Sequence, residues 1–437
     1  MNKRNLPLLA LWALLTLGCA TTPKDGTAEL SLNGSSGVYA LGQECRVLAS
    51  FSGNLDESLK VRILVNNQPS DSFNIRPVQG EMTLYQDACD ATRAVMVEVS
   101  GKNLPLKQIG YVAAPEGFEA GLKEPADLME YWNNQRALLD ALPFQVKSTP
   151  LEVPDKYASD YTLEDLEINC LGYAPVRAYM SKPKDAKEHS LPIVIQCRAA
   201  GVKGSWCLCN ANECVSNAAL GGGALSLDLN AHGFLNGQPQ QYYDYLEEGP
   251  LRGYSTYAAL DRETWYFKGM YLRLMRAIEF MTRQKEWDGE RILVMGESQG
   301  GGQAAASAGL DPRVTAVALF VPAIQDLGGM LKGRLSGWPK PLENHPDMIE
   351  AQKEVLPYFD GAMLLRHSHA RIFCEIGLID TTCPPAAVWS SLNGAPGEKT
   401  VLCVPYRDHH APSGELHEVW EKDYYQPRMA YINDYLK

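Results

Sequence analysis

The fold is decided by one stretch of the chain, RILVMGESQGGGQAAASAGL, which occupies residues 291–310. An apolar strand at its start leads into the pattern Gly-x-Ser-x-Gly at residues 296–300, and small residues suited to a helix follow. A strand, a tight turn and a helix in this order are what a nucleophile elbow requires. Glycines on both sides leave room for a strained backbone at Ser298, and the helix N-terminus places N–H groups beside its hydroxyl. We therefore predict that Ser298 is a nucleophile rather than part of an ordinary surface turn.

Short apolar segments alternate with helical ones on both sides of this stretch. Apolar residues recur at helical spacing over residues 267–281, and a further helix is predicted near residues 125–142. The candidate strands are residues 191–197, 224–229, 291–295, 314–321, 371–377 and 400–404. This alternation predicts a mostly parallel sheet with helices on both faces, an α/β-hydrolase fold, whose chemistry lies at the carboxyl ends of the strands.

A serine nucleophile needs a base, and the base needs an acid that orients it. In this fold the chain order is serine, then aspartate or glutamate, then histidine. Asp380 follows the strand at residues 371–377, and His409 and His410 follow the last strand. We predict Asp380 as the acid and one of the two histidines as the base. A helix cap is the alternative role for Asp380, and Asp408 is expected to face solvent.

Composition and charge narrow the classes of function. The chain has 437 residues, enough for two or three domains, and its 45% hydrophobic and 21% charged residues are typical of a globular protein. The formal net charge of -12 repels nucleic-acid phosphates, so no nucleic-acid partner is expected. No cofactor or metal is expected either. The cysteines at residues 207–214 fit no common zinc pattern, and His367 and His369 are interpreted as surface residues.

The first residues have the pattern of a processing signal. Two basic residues precede an apolar run at residues 6–17, too short to span a membrane comfortably, and the run leads to Cys19. Residues 1–18 thus resemble a bacterial lipoprotein signal peptide, whose removal leaves Cys19 to receive lipid; ordinary secretion is the alternative. No later segment has 18 uninterrupted apolar residues. We expect an exported lipoprotein at the periplasm or the cell surface, held to the membrane through its lipid alone.

A separate domain precedes the α/β region. Residues 19–28 are polar and predict a tether, and residues 29–113 carry period-two apolar runs between turn sequences, with no helical periodicity. Such runs are typical of a small antiparallel β-sandwich, immunoglobulin-like in general form. The α/β-hydrolase catalytic domain is then expected to span residues 114–437.

The cysteine content fits an oxidising compartment. Ten cysteines remain after Cys19, and an even number permits disulfides outside the cytoplasm. We expect a Cys45–Cys89 bridge inside the sandwich, and disulfides or buried thiols at residues 207–214. The pairing of the others does not follow from the sequence.

Three blocks of the chain are similar to those of a known family. They are residues 296–302 with 310–314, residues 377–385 (GLIDTTCPP) and residues 405–409 (PYRDH). These blocks resemble the acetyl xylan esterase / cephalosporin-C deacetylase family of α/β hydrolases, over residues 123–436. The resemblance implies a triad that removes acetyl groups from sugar esters, with the nucleophile on Ser298, the acid on Asp380 and the base on His409. His410 remains the alternative base, and the family's ring-like assemblies leave a homo-oligomer open.

The same resemblance places the oxyanion hole on the N–H groups of Gln299 and Ala200. Here the chain departs from the family, because Arg198 and Ala199 stand where a histidine and a glycine are usual. A glycine-type conformation forced on Ala199 would cost about 1–3 kcal/mol and displace the loop. Arg198 is then a candidate for recognising a charged substrate such as a uronic acid.

Three hypotheses follow from these observations. The first is a serine esterase that removes acetyl groups from acetylated xylan or related oligosaccharides through an acyl-enzyme on Ser298. The second is another serine hydrolase, acting on uronate esters or peptides, because the same triad cleaves other bonds. The third is a non-catalytic glycan-binding lipoprotein at the cell surface, motivated by the altered loop.

Overall fold

The structure is a computed structural model, and it describes residues 26–437. The signal peptide at residues 1–18 and the lipidation candidate Cys19 lie outside the described residues. The strands are β1 Thr27–Leu32, β2 Val38–Tyr39, β3 Cys45–Ser52, β4 Leu59–Val65, β5 Gln68–Ile75, β6 Gly80–Asp87, β7 Arg93–Ser100, β8 Lys107–Ala113, β9 Val146–Pro150, β10 Tyr161–Ile168, β11 Val176–Pro183, β12 Leu191–Cys197, β13 Leu225–Leu229, β14 Trp287–Glu297, β15 Ala316–Phe320, β16 Arg371–Gly377 and β17 Lys399–Val404. The α-helices are α1 Leu128–Asp140, α2 Ala211–Ala218, α3 Gln240–Glu248, α4 Tyr266–Met281, α5 Gln299–Leu310, α6 Pro341–Asn344, α7 Ile349–Lys353, α8 Gly361–Leu364, α9 Pro385–Gly394, α10 Glu415–Trp420 and α11 Gln426–Leu436.

The first eight strands form two sheets around one core. The strand orders are β1-β3-β6 and β2-β8-β7-β4-β5, antiparallel except for the β2–β8 pair. Along β3, Val47, Ala49 and Phe51 are buried, whereas the residues between them are exposed or half-buried. These side chains share a core with Val61 and Val97 of the other sheet. This period-two burial is why the polar residues between the apolar ones are tolerated, and it confirms the predicted β-sandwich.

The remaining strands form one sheet in the order β17-β16-β15-β14-β12-β13-β11-β10-β9. Neighbouring strands from β12 to β17 are parallel, whereas β11, β10 and β9 pair antiparallel at one edge. The predicted mostly parallel sheet is therefore confirmed. The antiparallel strands β9, β10 and β11 are not predicted from the sequence. β9 is exposed at every residue and β10 carries acidic residues, whereas β11 is mostly buried but polar and charged residues interrupt its apolar run. Continuous apolar runs identify strands that are covered on both faces.

Helices cover both faces of the sheet. Ile193 and Ile195 of β12 belong to a core shared with Leu274 of α4, whereas Val194, between them, packs in a core with Ile432 of α11. Alternate residues of a strand point to opposite faces, so a continuous apolar strand is required when both faces are covered. None of the helices within residues 26–437 has the length and apolarity needed to cross a bilayer.

The β-sandwich contacts the catalytic domain at the loops that follow β16 and β17. The Gly110 N–H on β8 donates a hydrogen bond of 2.8 Å to the carbonyl oxygen of Pro405. A Cβ atom at Gly110 would lie 2.2 Å from the carbonyl oxygen of Leu378, so this approach requires a glycine. The two domains are thus joined by direct backbone contact.

The ten cysteines within the described residues are free thiols. The predicted Cys45–Cys89 disulfide is therefore wrong. Both thiols are buried, and burial raises the pKa of Cys45 to about 12 and that of Cys89 to about 11. A protonated thiol is neither a good nucleophile nor readily oxidised.

Candidate active site

Ser298 occupies the sharp turn between β14 and α5. Its backbone angles are φ 54° and ψ -120°, a conformation that side-chain-bearing residues rarely adopt and that stores strain. The turn is tight because a Cβ atom at Gly300 would lie 2.2 Å from the carbonyl oxygen of Cys197, on the neighbouring strand β12. Ser298 lines a cavity of about 540 Å³ at the carboxyl edge of the sheet, hereafter the first cavity. The predicted strand, turn and helix are all present around it.

Ser298, His409 and Asp380 form a hydrogen-bonded row above the sheet. Ser298 Oγ lies 2.9 Å from His409 Nε2, and His409 Nδ1 lies 2.8 Å from Asp380 Oδ2. Because an ionised carboxylate only accepts, His409 Nδ1–H donates to Asp380, and Nε2 is left to accept the serine proton. Asp380 is fully buried, and its Oδ1 accepts the N–H groups of Thr382 at 2.7 Å and Cys383 at 2.8 Å. The carboxylate is therefore fixed in position.

The second histidine of the pair is placed differently. His410 is exposed, and its ring centroid lies 5.8 Å from that of His409. Its backbone N–H donates to Asp408 Oδ1 at 2.7 Å, and Asp408 is itself exposed. Thus His409, not His410, contacts the serine.

The loop after β12 brings Ala200 to the wall of the first cavity. The N–H of Ala200 donates no hydrogen bond to another residue within 26–437, and the same holds for the N–H of Gln299, the first residue of α5. First-turn amides have no partner inside their own helix, so both N–H groups are available to an oxygen in the cavity. Ala199 is not among the non-glycine residues with positive φ. The strain expected at Ala199 is therefore absent.

Arg198, at the start of this loop, is bound by two carboxylates. It is 5% exposed, its Nε donates to Asp228 Oδ1 at 2.8 Å, and its Nη1 donates to Glu213 Oε2 at 2.6 Å. Its Nη2 bonds the other oxygen of Asp228 as well. The expectation that Arg198 recognises a charged substrate is wrong, because its donors are used by these carboxylates. The ion pair of Arg198 with Asp228 instead anchors the loop to β13.

A buried network of aromatic side chains contacts the loop that follows β12. The Gly201 N–H donates to the Tyr254 hydroxyl at 3.1 Å, and that hydroxyl donates to Gln299 Oε1 at 2.7 Å. His232 Nε2 lies 2.8 Å from the Gly201 carbonyl oxygen, and its Nδ1 lies 2.5 Å from the Tyr266 hydroxyl. Burial lowers the pKa of His232 to about 3, so its ring is neutral and Nε2–H is the donor. The network joins the Gly201 backbone, next to Ala200, to the side chain of Gln299, and no local sequence pattern predicts it.

A buried arginine connects three strand ends at the site. Arg407 is 1% exposed and forms ion pairs with Glu375 of β16 and Glu297 of β14. Glu297 immediately precedes Ser298, and Arg407 lies in the loop that carries His409. The positions of the nucleophile and the base are therefore coupled through these ion pairs. Glu297 and Arg407 belong to the sequence blocks described above, but nothing in the sequence links them as a pair.

One cluster within the described residues has the composition of a metal site. Asp380, Cys383 and His409 offer ligand atoms that all lie within 4.8 Å of one another. Asp380 bonds to His409 and His409 bonds to Ser298, so this proximity is accounted for by the hydrogen-bonded row. The cysteines at residues 207–214 do not converge, and each thiol lies near a different backbone carbonyl oxygen.

Comparison with known proteins covers most of the catalytic domain and this site. The family model described as Acetyl xylan esterase (AXE1) matches residues 104–422, which is more than half of the chain. The chain belongs to the acetyl xylan esterase family. Membership of the acetyl xylan esterase family makes this protein a carboxylic ester hydrolase and confirms the resemblance found in the sequence.

Individual relatives agree with this assignment. The chain is 28% identical over 328 residues to the acetyl esterase Axe7A of Xylanibacter ruminicola, covering 72% of this chain and 70% of that protein. It is similar to the solved structure of an acetyl xylan esterase from Paenibacillus sp. R4, with a TM-score of 0.59, 25% identity and coverage of 72% and 98% of the two chains. The acetyl xylan esterase 1 of Thermoanaerobacterium sp. JW/SL YS485 gives a TM-score of 0.56 at 22% identity, with coverage of 73% and 97%, and this supports the fold alone.

Proposed function

We propose that this protein is a serine esterase that removes acetyl groups from carbohydrate esters, such as acetylated xylan or related oligosaccharides. The reaction proceeds through an acyl-enzyme on Ser298. The observation that carries the proposal is the row of Ser298, His409 and Asp380 beside the first cavity, in a chain of the acetyl xylan esterase family.

In the first half-reaction, His409 Nε2 takes the hydroxyl proton while Ser298 Oγ forms a bond to the acetyl carbonyl carbon. The carbonyl oxygen becomes an oxyanion, and Asp380 stabilises the imidazolium that His409 has become. The carbon–oxygen bond to the sugar then breaks, and His409 returns its proton to the leaving sugar oxygen. General-base catalysis of this kind contributes about 10²–10⁴-fold in rate. Water repeats the attack on the acetyl-serine, and acetate is released.

The oxyanion is held by the N–H groups of Gln299 and Ala200. The support for this assignment is that both amides lack an acceptor among the described residues and that Ala200 lines the first cavity with Ser298. The Tyr254 hydroxyl contacts both the side chain of Gln299 and the backbone next to Ala200, which keeps the two donors preorganised. Loss of one such donor costs about 10²–10³-fold in rate.

Two observations weigh against the rival hypotheses. A uronate ester hydrolase follows from the triad's ability to cleave other bonds, but Arg198, the candidate for binding a uronate, is paired with Asp228 and Glu213. A non-catalytic glycan-binding protein was supported by the altered loop, yet Ala199 carries no positive φ. A peptidase has no specific observation in its favour.

The location of the enzyme is a further part of the proposal. After removal of residues 1–18, lipid on Cys19 holds the exported enzyme at the periplasm or the cell surface, and residues 19–28 tether the β-sandwich at residues 29–113. The basic and apolar pattern before Cys19 supports this. Incorporation of a labelled fatty acid into the wild type but not into Cys19→Ala is the expected result, and equal labelling would contradict it. We also propose that the protein forms a homo-oligomer. Light scattering of the purified protein measures the mass of the assembly.

The decisive experiment compares acetate release from acetylated xylan by the wild type and Ser298→Ala. We expect a loss of about 10⁴–10⁶-fold, because the acyl-enzyme no longer forms. Ser307→Ala is the matched control, since Ser307 lies on the same helix α5 and its hydroxyl donates only to the backbone oxygen of Ala304. A folded Ser298→Ala as active as the wild type would overturn the proposal.

A further inference from the structure

A second cavity lies directly beside the first. Its volume is also about 540 Å³, and the two share Ala199, Trp206 and Glu297 as walls. The first cavity holds Ser298 and suffices for an acetyl group and its carbonyl. A ligand that extends past Trp206 therefore enters the second cavity.

Trp206 is a rigid aromatic surface between the two cavities. It is 65% exposed. Its Nε1–H donates to the carbonyl oxygen of Ala200 at 2.8 Å, and its ring lies against Gly204, where a Cβ atom would be 2.4 Å from a ring carbon. One face of the indole is thus held by the loop backbone while the other is open. An aromatic face attracts the polarised C–H groups of a pyranose ring, and a fixed ring loses little entropy on binding.

The polar side chains of the second cavity have hydrogen-bonding capacity to spare. The side-chain amide of Asn217 makes no hydrogen bond to another described residue. Neither does the Arg428 guanidinium, whose Nη1 lies 3.5 Å from Glu375 Oε2. Arg428 is held over the rings of Phe320 and Tyr425, 4.1 Å and 4.5 Å from their centroids. Arg428 is thus held by an ion pair, whereas the half-buried amide of Asn217 has no partner among the described residues and is available to a ligand.

The charges around the cavity favour a neutral ligand over an anion. The charged side chains on its walls all have a partner of opposite sign: Glu213 pairs with Arg198, Glu297 with Arg407 and Arg428 with Glu375. Sugar hydroxyls both donate and accept, so they match such a lining, whereas a carboxylate would find no unpaired cation there.

We propose that the second cavity is a subsite for a neutral sugar unit, adjacent to the unit that carries the acetyl group, with Trp206 as its stacking surface. This inference rests on the proposed function and narrows it. The substrate is then an acetylated oligosaccharide or polysaccharide chain rather than an acetylated monosaccharide or a small acetate ester.

The experiment compares kcat/KM for acetylated xylose and acetylated xylotriose in the wild type, Trp206→Ala and Asn217→Ala. The wild type is expected to prefer the trisaccharide, and each variant to lower that preference by about 2–10-fold, the range of a single stacking or hydrogen-bonding contact. Taking the ratio removes any effect that Trp206→Ala has on the Ala200 loop, because both substrates need the loop equally. Tyr245→Ala is the matched control: Tyr245 is 66% exposed on α3 and lines neither cavity.

Calorimetric binding of unacetylated xylotriose to Ser298→Ala gives a readout that does not depend on turnover. Binding that weakens when Asn217→Ala or Trp206→Ala is added supports the subsite. Equal kcat/KM for both substrates in an active wild type would overturn the subsite and leave the esterase proposal intact. Absence of acetate release from every carbohydrate would overturn the proposed function itself. If Trp206→Ala does not fold, Asn217→Ala decides the question alone.

Discussion

Replacing Gly110 with alanine tests whether the β-sandwich holds the loops that carry the acid and the base. The new Cβ atom would lie 2.2 Å from the carbonyl oxygen of Leu378, whereas ordinary contact begins at 3.4 Å. The backbone must therefore shift by about 1 Å, either in β8 or in the segment that leads to Asp380. The loop that leads to His409 is involved too, since the Gly110 N–H bonds to Pro405.

The size of the effect follows from this displacement. Overpacking of a tight contact lowers the free energy of unfolding by about 1–3 kcal/mol. A catalytic group misplaced by about 1 Å loses on the order of 10²-fold in rate. Because the shift is shared between the two domains, we expect Gly110→Ala to lower kcat for an aryl acetate by about 10–100-fold.

Gly101→Ala is the matched control for this substitution. A Cβ atom at Gly101 would lie 2.3 Å from Asp56 Oδ2, a contact inside the β-sandwich. In thermal denaturation Gly110→Ala is expected to lose more stability than Gly101→Ala, because its clash is with backbone and not with side-chain ends, and kcat falls only in Gly110→Ala. If a folded Gly110→Ala hydrolyses the aryl acetate as fast as Gly101→Ala, the sandwich does not position the loops and the reasoning is refuted.

Three further predictions concern single side chains. In aryl acetate hydrolysis, His409→Ala is expected to lower kcat by at least about 10³-fold and His410→Ala by less than about tenfold. The reason is that only His409 contacts the serine. A larger loss in His410→Ala than in His409→Ala would identify His410 as the base. Arg407→Met leaves the buried Glu375 with its main ion pair broken, so urea denaturation is expected to show a loss of about 3 kcal/mol or more, and a loss below about 1 kcal/mol would contradict this. Burial raises the pKa of Asp360 to about 7, whereas an unfolded aspartate titrates near ~4. The folded state therefore keeps a proton that the unfolded state has lost, and the free energy of unfolding is expected to fall as the pH rises from about 4 to about 7. Asp360→Asn should show a flatter profile in urea titrations, and an unchanged slope would contradict the assignment.

The parallel strands of the catalytic sheet are predictable from the sequence, and the antiparallel strands β9, β10 and β11 are not. The prediction for residues 191–197 coincides with β12, because a strand covered on both faces is apolar throughout. β9 has no buried residue, so its sequence carries no apolar signal. The same logic explains the site: Asp380 and His409 follow strands whose order the fold fixes, so their places could be predicted.

The supporting contacts could not be predicted, because they join residues far apart in the chain. Arg407 and Glu297 are 110 positions apart, and Tyr254 and Gln299 are 45 apart. Periodicity and spacing describe neighbours along the chain, whereas these pairs depend on how the loops cross above the sheet. Arg198 illustrates the consequence: its type suggested a ligand-binding role, and only its packing reveals the internal pairing.

The meeting of Gly110 with the backbone of Leu378 has a consequence for how this protein can change over time. Gly110 has no side chain, and Leu378 meets it through its main chain. Neither side can adjust by exchanging one side chain for another, so mutations in the two domains cannot compensate each other there. The domains are thus expected to be inherited as a single unit, and relatives without the sandwich must restrain these loops with a different element.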